Sequence, residues 1–563
     1  MHVIFRYRYA LVLALAVATF CWLGTTRYLG AGRDDVFITL YAGQALADGQ
    51  GIVNYNGDRV EMSSSLLHTF IIAAIHLAAP DYVFTLNKIV GGLAGALTLV
   101  VLYLGRGVLF RVGSWRFPTY AVTLSIIATN PAFLYWSFGG LETPFATLFL
   151  VSYAIALIQH RFRPTPLIET AVIGSQCLYI MTRPEGFFLL LFTLVYLGLA
   201  KMIVHRPLRF RIILIPGAFF AAITLFRWTY FGALVPNTVY AKSGGIAEGV
   251  ANGFVYLKNF YDSSALLWCA FSILVVLFFV YFRYLAIAIH AYPRRTPMPL
   301  ANILLFGLVL ATHFVVLFSG GDWMEHFRFL VPVIPLFATL TITQTATVFA
   351  AVSRRVTDRQ PLIGVSAALA ILAFAANLAQ SSINVPRMLP LNNGDAGIEY
   401  SLRKTLRQPG SLDERIIRLN APNRSFLDSF DPFLDTVFPN IIEEHTPIVV
   451  ATGQMGLFPY RIKQRFPNAQ ISFIDTLGLC DATVAHLKMP KDPIGLKEGR
   501  FVDMVLSNET GPLSDYVIEQ QPNMAYMLGG ALDLTENLAR LKTLGYELVW
   551  DQNLEYIFLK TGD

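Results

Sequence analysis

The sequence predicts a polytopic α-helical membrane protein that carries a soluble α/β domain at its C-terminal end. Three observations predict it. Hydrophobic residues make up 55% of the 563 and charged residues only 14%, with a mean hydropathy of +0.53; soluble chains carry about 25% charged residues. Apolar runs of about 20 residues, enough to cross ~30 Å of hydrocarbon, recur along the first two thirds of the chain. After Gln380 the hydropathy falls and stays low. The net charge of +6 calls for no nucleic-acid partner, because the excess sits in short loops between the runs.

Apolar spans fall at 9–27, 86–105, 118–135, 143–159, 166–182, 187–204, 211–228, 264–286, 299–318, 329–350 and 361–380. The first is flanked by Arg6 and Arg8 and has no small-residue cleavage site after it, so it reads as a retained helix rather than a signal peptide. The connections alternate in charge. One set holds Arg106, Arg111 and Arg116; His160, Arg161 and Arg163; Lys201, Arg206, Arg209 and Arg211; Arg283, Arg294 and Arg295; and Arg354, Arg355 and Arg359. That bias puts these loops in the cytoplasm together with the N-terminus. The other set is then external: 27–84, 136–142, 183–186, 230–263, 319–328 and everything after about 380.

Eleven spans satisfy this alternation. The stretch "LLHTFIIAAIHLAA" (66–79) would break it as a twelfth and reads as a helix along the outer interface. The organisation is therefore a transmembrane part, 1–380, with 28–84 as its first external loop, and an external α/β domain, 381–563. In that domain "TPIVVATG", "AQISFIDTLGL" and "FVDMVLSN" read as strands, and "YELVWDQNLEYIFLK" as a hairpin around "DQN". "EYSLRKTLRQ" and "LTENLARLKTL" carry helical periodicity. Cys21, Cys177 and Cys269 sit in apolar runs as small hydrophobes. Cys480 stands alone in the tail, and no disulfide is expected.

Beyond the basic loops, unusual polar residues collect at the external ends of spans: Asp34 and Asp35; Glu142 in "YWSFGGLETPF"; Arg183 and Glu185 in "MTRPEG"; Asn237 and Lys242 in "FGALVPNTVYAKSGG"; and Asp322, His326 and Arg328 in "SGGDWMEHFRFLVP". Charges at membrane depth are costly unless they serve a site, so these ends are read as one cavity at the outer leaflet. Each group also has a purely structural reading. Asp34 is placed to cap the helix that follows it, with Asp35 in its first turn. Glu142 opens a span, Arg183 and Glu185 make a local ion pair, and Lys242 is a solvated loop charge. Trp136, Trp228, Tyr230 and Trp323 stand near span ends, as interfacial belt residues do.

The order of these segments resembles the GT-C class of membrane glycosyltransferases, and within it the mycobacterial terminal β-(1→2)-arabinofuranosyltransferase family. An acidic pair is followed by "GQGIVNYNGDRVE" (49–61), then by Arg183–Glu185, then by "FGALVPNTVYAK" (231–242). "GGDWMEHFR" (320–328), with Glu325 between Met324 and His326, and "IDTLGL" (474–479) complete the likeness, which spans nearly the whole chain. The resemblance implies an inverting transfer of an arabinofuranosyl residue from a polyprenyl-phosphate donor on the extracytoplasmic face of a bacterial plasma membrane. Asp34 matches the first acid and would be the base, with Asp35 orienting it or binding substrate. Arg183, Lys242 and Arg328 are candidate cations for the departing phosphate and His326 a hydrogen-bond donor to it. Glu142, Glu185, Asn237 and Asp322 would contact substrate.

The acceptor is left open between a cell-wall arabinan or other polysaccharide and an exported protein such as a pilin. Asp34, Asp35 and Asp322 offer hard oxygens to a divalent cation, but no compact ligand motif is present, so no metal is expected to be obligatory. No phosphate-loop or dinucleotide fingerprint is present either. Two alternatives stand beside this reading: the same fold with another polyprenyl-linked sugar such as mannose, and a transporter or lipid flippase. Transporters concentrate polar groups near the midplane, whereas here they gather at one face.

Overall fold

The computed structural model describes residues 2–204, 209–242, 246–290, 300–322, 324–353, 410–487, 512–528, 542–543, 545–552 and 555–560. The span at 361–380, the boundary at 380, the segments 399–408 and 501–508, most of 534–544, and Trp323 lie outside them. In chain order, α1 (His2–Leu23), α2 (Asp35–Ala47), α3 (Leu66–Ala78), α4 (Val83–Leu109), α5 (Arg116–Ala128), α6 (Pro131–Phe138), α7 (Thr143–Phe162) and α8 (Pro166–Thr182) come first. Then follow α9 (Phe188–Val204), α10 (Arg211–Phe231), α11 (Asn237–Lys242), α12 (Ile246–Asp262), α13 (Ala265–His290), α14 (Leu300–Ser319) and α15 (Ile334–Ser353).

Six described helices are long and apolar enough to cross a membrane: Tyr7–Tyr28, Pro80–Leu109, Thr143–Phe162, Arg211–Phe231, Ala301–Ser319 and Glu325–Ala350. The pair Ala247–Asp262 and Leu267–Arg283, bent by 118°, adds a seventh if it is one span. The protein is thus a multi-pass helical membrane protein. Helices occupy ten of the eleven predicted spans, but 118–135 is broken into α5 and α6. Pro131 supplies no amide, and the Asn130 side chain accepts from Phe133 N at 2.9 Å, which starts a new helix there. The stretch 230–263, read as loop, carries α11 and α12. At 1.5 Å per residue the 13 residues of α3 cover only ~20 Å, short of a hydrocarbon core.

The chain forms two compact units, one from 1–31, 88–223 and 245–402, the other from 32–87, 224–244 and 403–563. The first is a helix assembly joined by buried side-chain hydrogen bonds as well as apolar packing. Tyr153 on α7 meets the Thr193 hydroxyl of α9 at 2.8 Å, Thr193 donates to Gln176 on α8, and the Gln176 amide donates to the Ile212 carbonyl of α10. Such bonds bind helices together where lipid offers no competing partner. The expected belt residue Trp136 is instead fully buried here, its indole N–H donating to the Glu325 carbonyl at 3.0 Å.

In the second unit α2 packs on α3, with no room for a side chain at Gly43: a Cβ there would stand 2.4 Å from Ile72. The tail adds α16 (Leu412–Ile417), α17 (Ala421–Thr436), α18 (Phe438–His445), β1 (Ile448–Thr452), α19 (Leu457–Arg465), β2 (Ile471–Asp475), α20 (Ala482–His486), α21 (Pro512–Glu519), β3 (Met524–Leu528), β4 (Tyr546–Gln552) and β5 (Glu555–Lys560). Its sheet runs β2-β1-β3-β5-β4; β1 is parallel to β2 and β3, while β5 is antiparallel to β3 and β4. The predicted strands at 448 and 471 and the hairpin are present. β3 was not foreseen.

One face of the sheet buries Ala451, Ile474, Val484, Leu513, Val517 and Phe558; elsewhere in the tail Phe458 stacks on Tyr526 at 4.0 Å. The loop 49–61 of the same unit is tied to the tail by carboxamides. Asn54 Nδ2 donates to the Cys480 carbonyl, and Asn56 exchanges two bonds with Phe473 on β2, Nδ2 to O at 2.9 Å and Oδ1 from N at 2.8 Å.

Candidate functional site

In the first unit, three chain segments separated in sequence bring six of the predicted residues together. Arg183, just after α8, donates from Nη1 to Glu142 at 2.7 Å and from Nε to Glu185 at 2.7 Å. Glu142 stands at the start of α7 and is 3% exposed. Asp322 pairs with Arg328 at 2.7 Å, both side chains buried. The two guanidinium groups share one ring: the centroid of Phe329 lies 4.7 Å from Arg183 Cζ and 5.4 Å from Arg328 Cζ, and Arg328 also faces Trp136.

The turn that presents this pair is built from unusual backbone. Gly320 and Gly321 have φ of 83° and 77°, and a Cβ on Gly321 would lie 2.5 Å from the Tyr256 ring. His326 and Phe327 follow at φ 57° and 52°, a left-handed conformation that side-chain-bearing residues adopt at a cost of ~1–2 kcal/mol each. Strain of this kind clusters where a side chain must be aimed. His326 lies half-buried against Tyr135, ring centroids 4.4 Å apart.

Electrostatically this cluster departs from the sequence expectation. Glu142, Glu185 and Asp322 outnumber Arg183 and Arg328 by one formal charge, and both guanidinium groups are aimed at carboxylates. Arrays of this kind set the geometry of helix ends.

The second unit holds the other four predicted residues. Asp34 precedes α2 in helical conformation, φ −51° and ψ −38°, and its side chain does not cap that helix. It caps α19 instead: Oδ2 accepts from Gly456 N at 2.9 Å and Oδ1 from Leu457 N at 2.6 Å. Burial pushes its pKa up to about 6; the Leu457 amide pulls against the rise, neighbouring Asp35 adds to it, and the Gly456 amide and Arg33 oppose it. Asp35 opens α2, half-buried.

Asn237 is 5% exposed, and its Nδ2 lies 2.8, 3.1 and 3.3 Å from the carbonyls of Gly478, Leu479 and Asp481. It holds the turn after β2, which occupies the carboxamide expected to meet substrate. Lys242 ends α11 with its side chain exposed. Among the described residues no group of three His, Cys, Asp or Glu side chains is arranged to hold a metal ion.

Several residues of these sites went unread in the sequence. Glu61 and Arg227 form a buried bidentate pair at 2.8 and 3.0 Å; Glu61 ends the "RVE" of the resemblance, but its partner lies 166 positions away. Lys88, 1% exposed, donates to the carbonyls of Ala31 and Phe138; a lysine inside an apolar run was the available signal. Asp475, 1% exposed at the end of β2, accepts from Leu477 N at 2.9 Å and Cys480 N at 2.6 Å. Burial pushes its pKa up to about 7 against those amide bonds.

The fold and the two sites define the class: a multi-pass helical membrane protein with an α/β tail and polar clusters at helix ends. No family model matches the chain, and no curated protein matches it. Among solved structures it is similar to ArnT from Cupriavidus metallidurans bound to undecaprenyl phosphate, at 15% identity over 98% of both chains with a TM-score of 0.46. It is also similar to the apo oligosaccharyltransferase of Archaeoglobus fulgidus, at 11% identity over 92% of this chain and 69% of that one, TM-score 0.47. Likeness of this degree carries no argument about chemistry.

Proposed function

We propose that the protein is a polyprenyl-phosphate-dependent glycosyltransferase of the bacterial plasma membrane, its N-terminus cytoplasmic and its α/β tail outside. It moves an arabinofuranosyl residue to an acceptor hydroxyl with inversion. The observation that carries the reading is the gathering of Glu142, Arg183, Glu185, Asp322, His326 and Arg328, each singled out at the external end of a span, into one ion-paired and aromatic cluster. The ordered resemblance from the acidic pair to "IDTLGL" supplies the donor class and the sugar.

In this mechanism Asp34 is the base. Each of its oxygens accepts one amide and keeps a second lone pair for the acceptor hydroxyl, and a carboxylate with a pKa of about 6 is matched to a neutral medium. Positioned proton transfer of this kind contributes ~10²–10⁴-fold. The exposed ammonium of Lys242 meets the departing phosphate, where negative charge grows as the glycosidic bond breaks. His326 donates a hydrogen bond to the donor. Arg183 and Arg328 keep the helix ends in register, and Asn237 holds the tail turn. The residues require no metal for these steps.

The test uses membranes containing the native chain or Asp34→Asn, supplied with labelled polyprenyl-phosphoryl arabinose and either an arabinan or a pilin-like acceptor. The native chain transfers label and the variant does not; undiminished transfer by Asp34→Asn removes the base. Exclusive use of a mannosyl donor removes the arabinose assignment and keeps the class.

A further inference from the structure

The sheet of the tail opens with a strand–glycine loop–helix–strand unit: β1, "GQMG" (453–456), α19 and β2, with Asp475 at the end of β2. In nucleotide-binding folds the amides at that helix N-terminus receive a phosphate, and the acid ending the second strand binds a ribose. Here both positions are filled from within. Asp475 accepts from the turn that follows it, and the anion at the N-terminus of α19 is the carboxylate of Asp34, 422 residues away in sequence.

The seat is made by a missing side chain. A Cβ on Gly456 would stand 2.2 Å from both Cγ and Oδ2 of Asp34 and 2.3 Å from the Asp34 carbonyl oxygen. The last of these is backbone, so no rotamer relieves it. The Gly456 carbonyl is held in turn: the hydroxyl of Tyr55, 1% exposed, lies 3.3 Å from it and 3.3 Å from the carbonyl of Phe37 on α2. Phe37 packs against Tyr460 of α19 at 5.2 Å.

We propose that Gly456 is a positioning residue for the catalytic base: the tail fixes the Asp34 carboxylate through the first amides of α19, at a point where only hydrogen fits. The proposal rests on the reading of Asp34 as base. It gives the tail a role in the chemical step, as the part that orients the carboxylate and removes it from water. The titratable neighbours of that carboxylate are Arg33 and Asp35 beside it, Tyr55, and the Cys480 thiol.

The experiment measures arabinosyl transfer by full-length Gly456→Ala in membranes, with Asp34→Asn and Gly453→Ala in parallel. A Cβ at Gly453 meets Thr476 and Leu477 at no less than 3.3 Å, so that variant reports on the loop alone. Displacing a base by ~1 Å costs about a hundredfold in rate. Gly456→Ala is expected to lose about that in kcat, with KM for the donor unchanged, and its acid limb to move away from that of the native chain. Gly453→Ala keeps both. A tail that was only damaged scales the whole pH profile without moving its limb, and that result overturns the proposal.

Native rate and profile in Gly456→Ala, with Asp34→Asn inactive, overturn the proposal and leave the base standing. An active Asp34→Asn overturns the base and the proposal with it. If Gly456→Ala does not accumulate, Tyr55→Phe releases the same carbonyl without adding an atom. It should move the limb in part, and a native limb there overturns the proposal.

Discussion

The buried pair of Glu61 and Arg227 gives the sharpest stability prediction. Both side chains are 3–4% exposed, and the guanidinium donates from Nε and Nη2 to the two carboxylate oxygens at 2.8 and 3.0 Å. Truncating one partner leaves the other charge buried and uncompensated, at a cost of ~3–5 kcal/mol, whereas replacing both with apolar groups of similar size is close to neutral. At ~2–4 °C per kcal/mol, Glu61→Gln and Arg227→Met should each lower the thermal midpoint of the purified protein in detergent by about 6–20 °C. The Glu61 carbonyl also accepts from Asn237 N at 3.1 Å, but that bond is backbone and survives both substitutions. The double variant Glu61→Met/Arg227→Met should recover most of the loss. A double variant as low as the sum of the singles refutes the coupling, and a native midpoint in Glu61→Gln refutes the burial argument itself.

Lys242→Ala should raise KM for the polyprenyl-phosphate donor about tenfold, the worth of one charge-assisted hydrogen bond, with kcat changed less; a native KM returns Lys242 to the status of a loop charge. Arg183→Lys should behave as a loss rather than a conservative change, because an ammonium cannot serve Glu142 and Glu185 with the planar fork that holds them now. A drop of ~3 kcal/mol in unfolding free energy by denaturant titration is expected. Asp475 fixes the sign of a pH effect. Its folded pKa of about 7 stands above the ordinary 3.8, so the folded tail keeps a proton that the unfolded chain releases. Stability from this group is greatest at low pH and falls between about 4 and 7. Protease resistance should therefore fall from pH 5 to pH 8, and Asp475→Asn should flatten that slope.

The helices were legible because the bilayer imposes a length and a composition that single runs reveal. The break between α5 and α6 was written plainly as Asn130-Pro131, inside a run whose hydropathy hides it. Glu142, Arg183, Glu185, Asp322, His326 and Arg328 could be singled out because charge at a span end is rare. The local pair of Arg183 and Glu185 could be read as well, but the bond from Arg183 to Glu142 could not, since the two lie 41 positions apart and meet only by helix packing. Asp34 shows the limit most clearly. Read locally, an acid before a helix caps that helix; here the cap is made to α19, and nothing short of the folded tail could reveal it. The tail helices at 421–445 went unread because Pro422, Pro432 and Pro439 punctuate them and suggest breaks, and β3 because the five residues from Met524 to Leu528 carry little pattern of their own.

The carboxamide of Asn56 imitates a peptide group. By exchanging two bonds with Phe473 it continues the ladder of β2, the outermost strand on that side among the described residues, for one rung with a side chain in place of a neighbour. An unprotected margin there would be a template on which extended segments of other molecules could add themselves. At Phe473 the side chain of Asn56 fills the place such a segment would take.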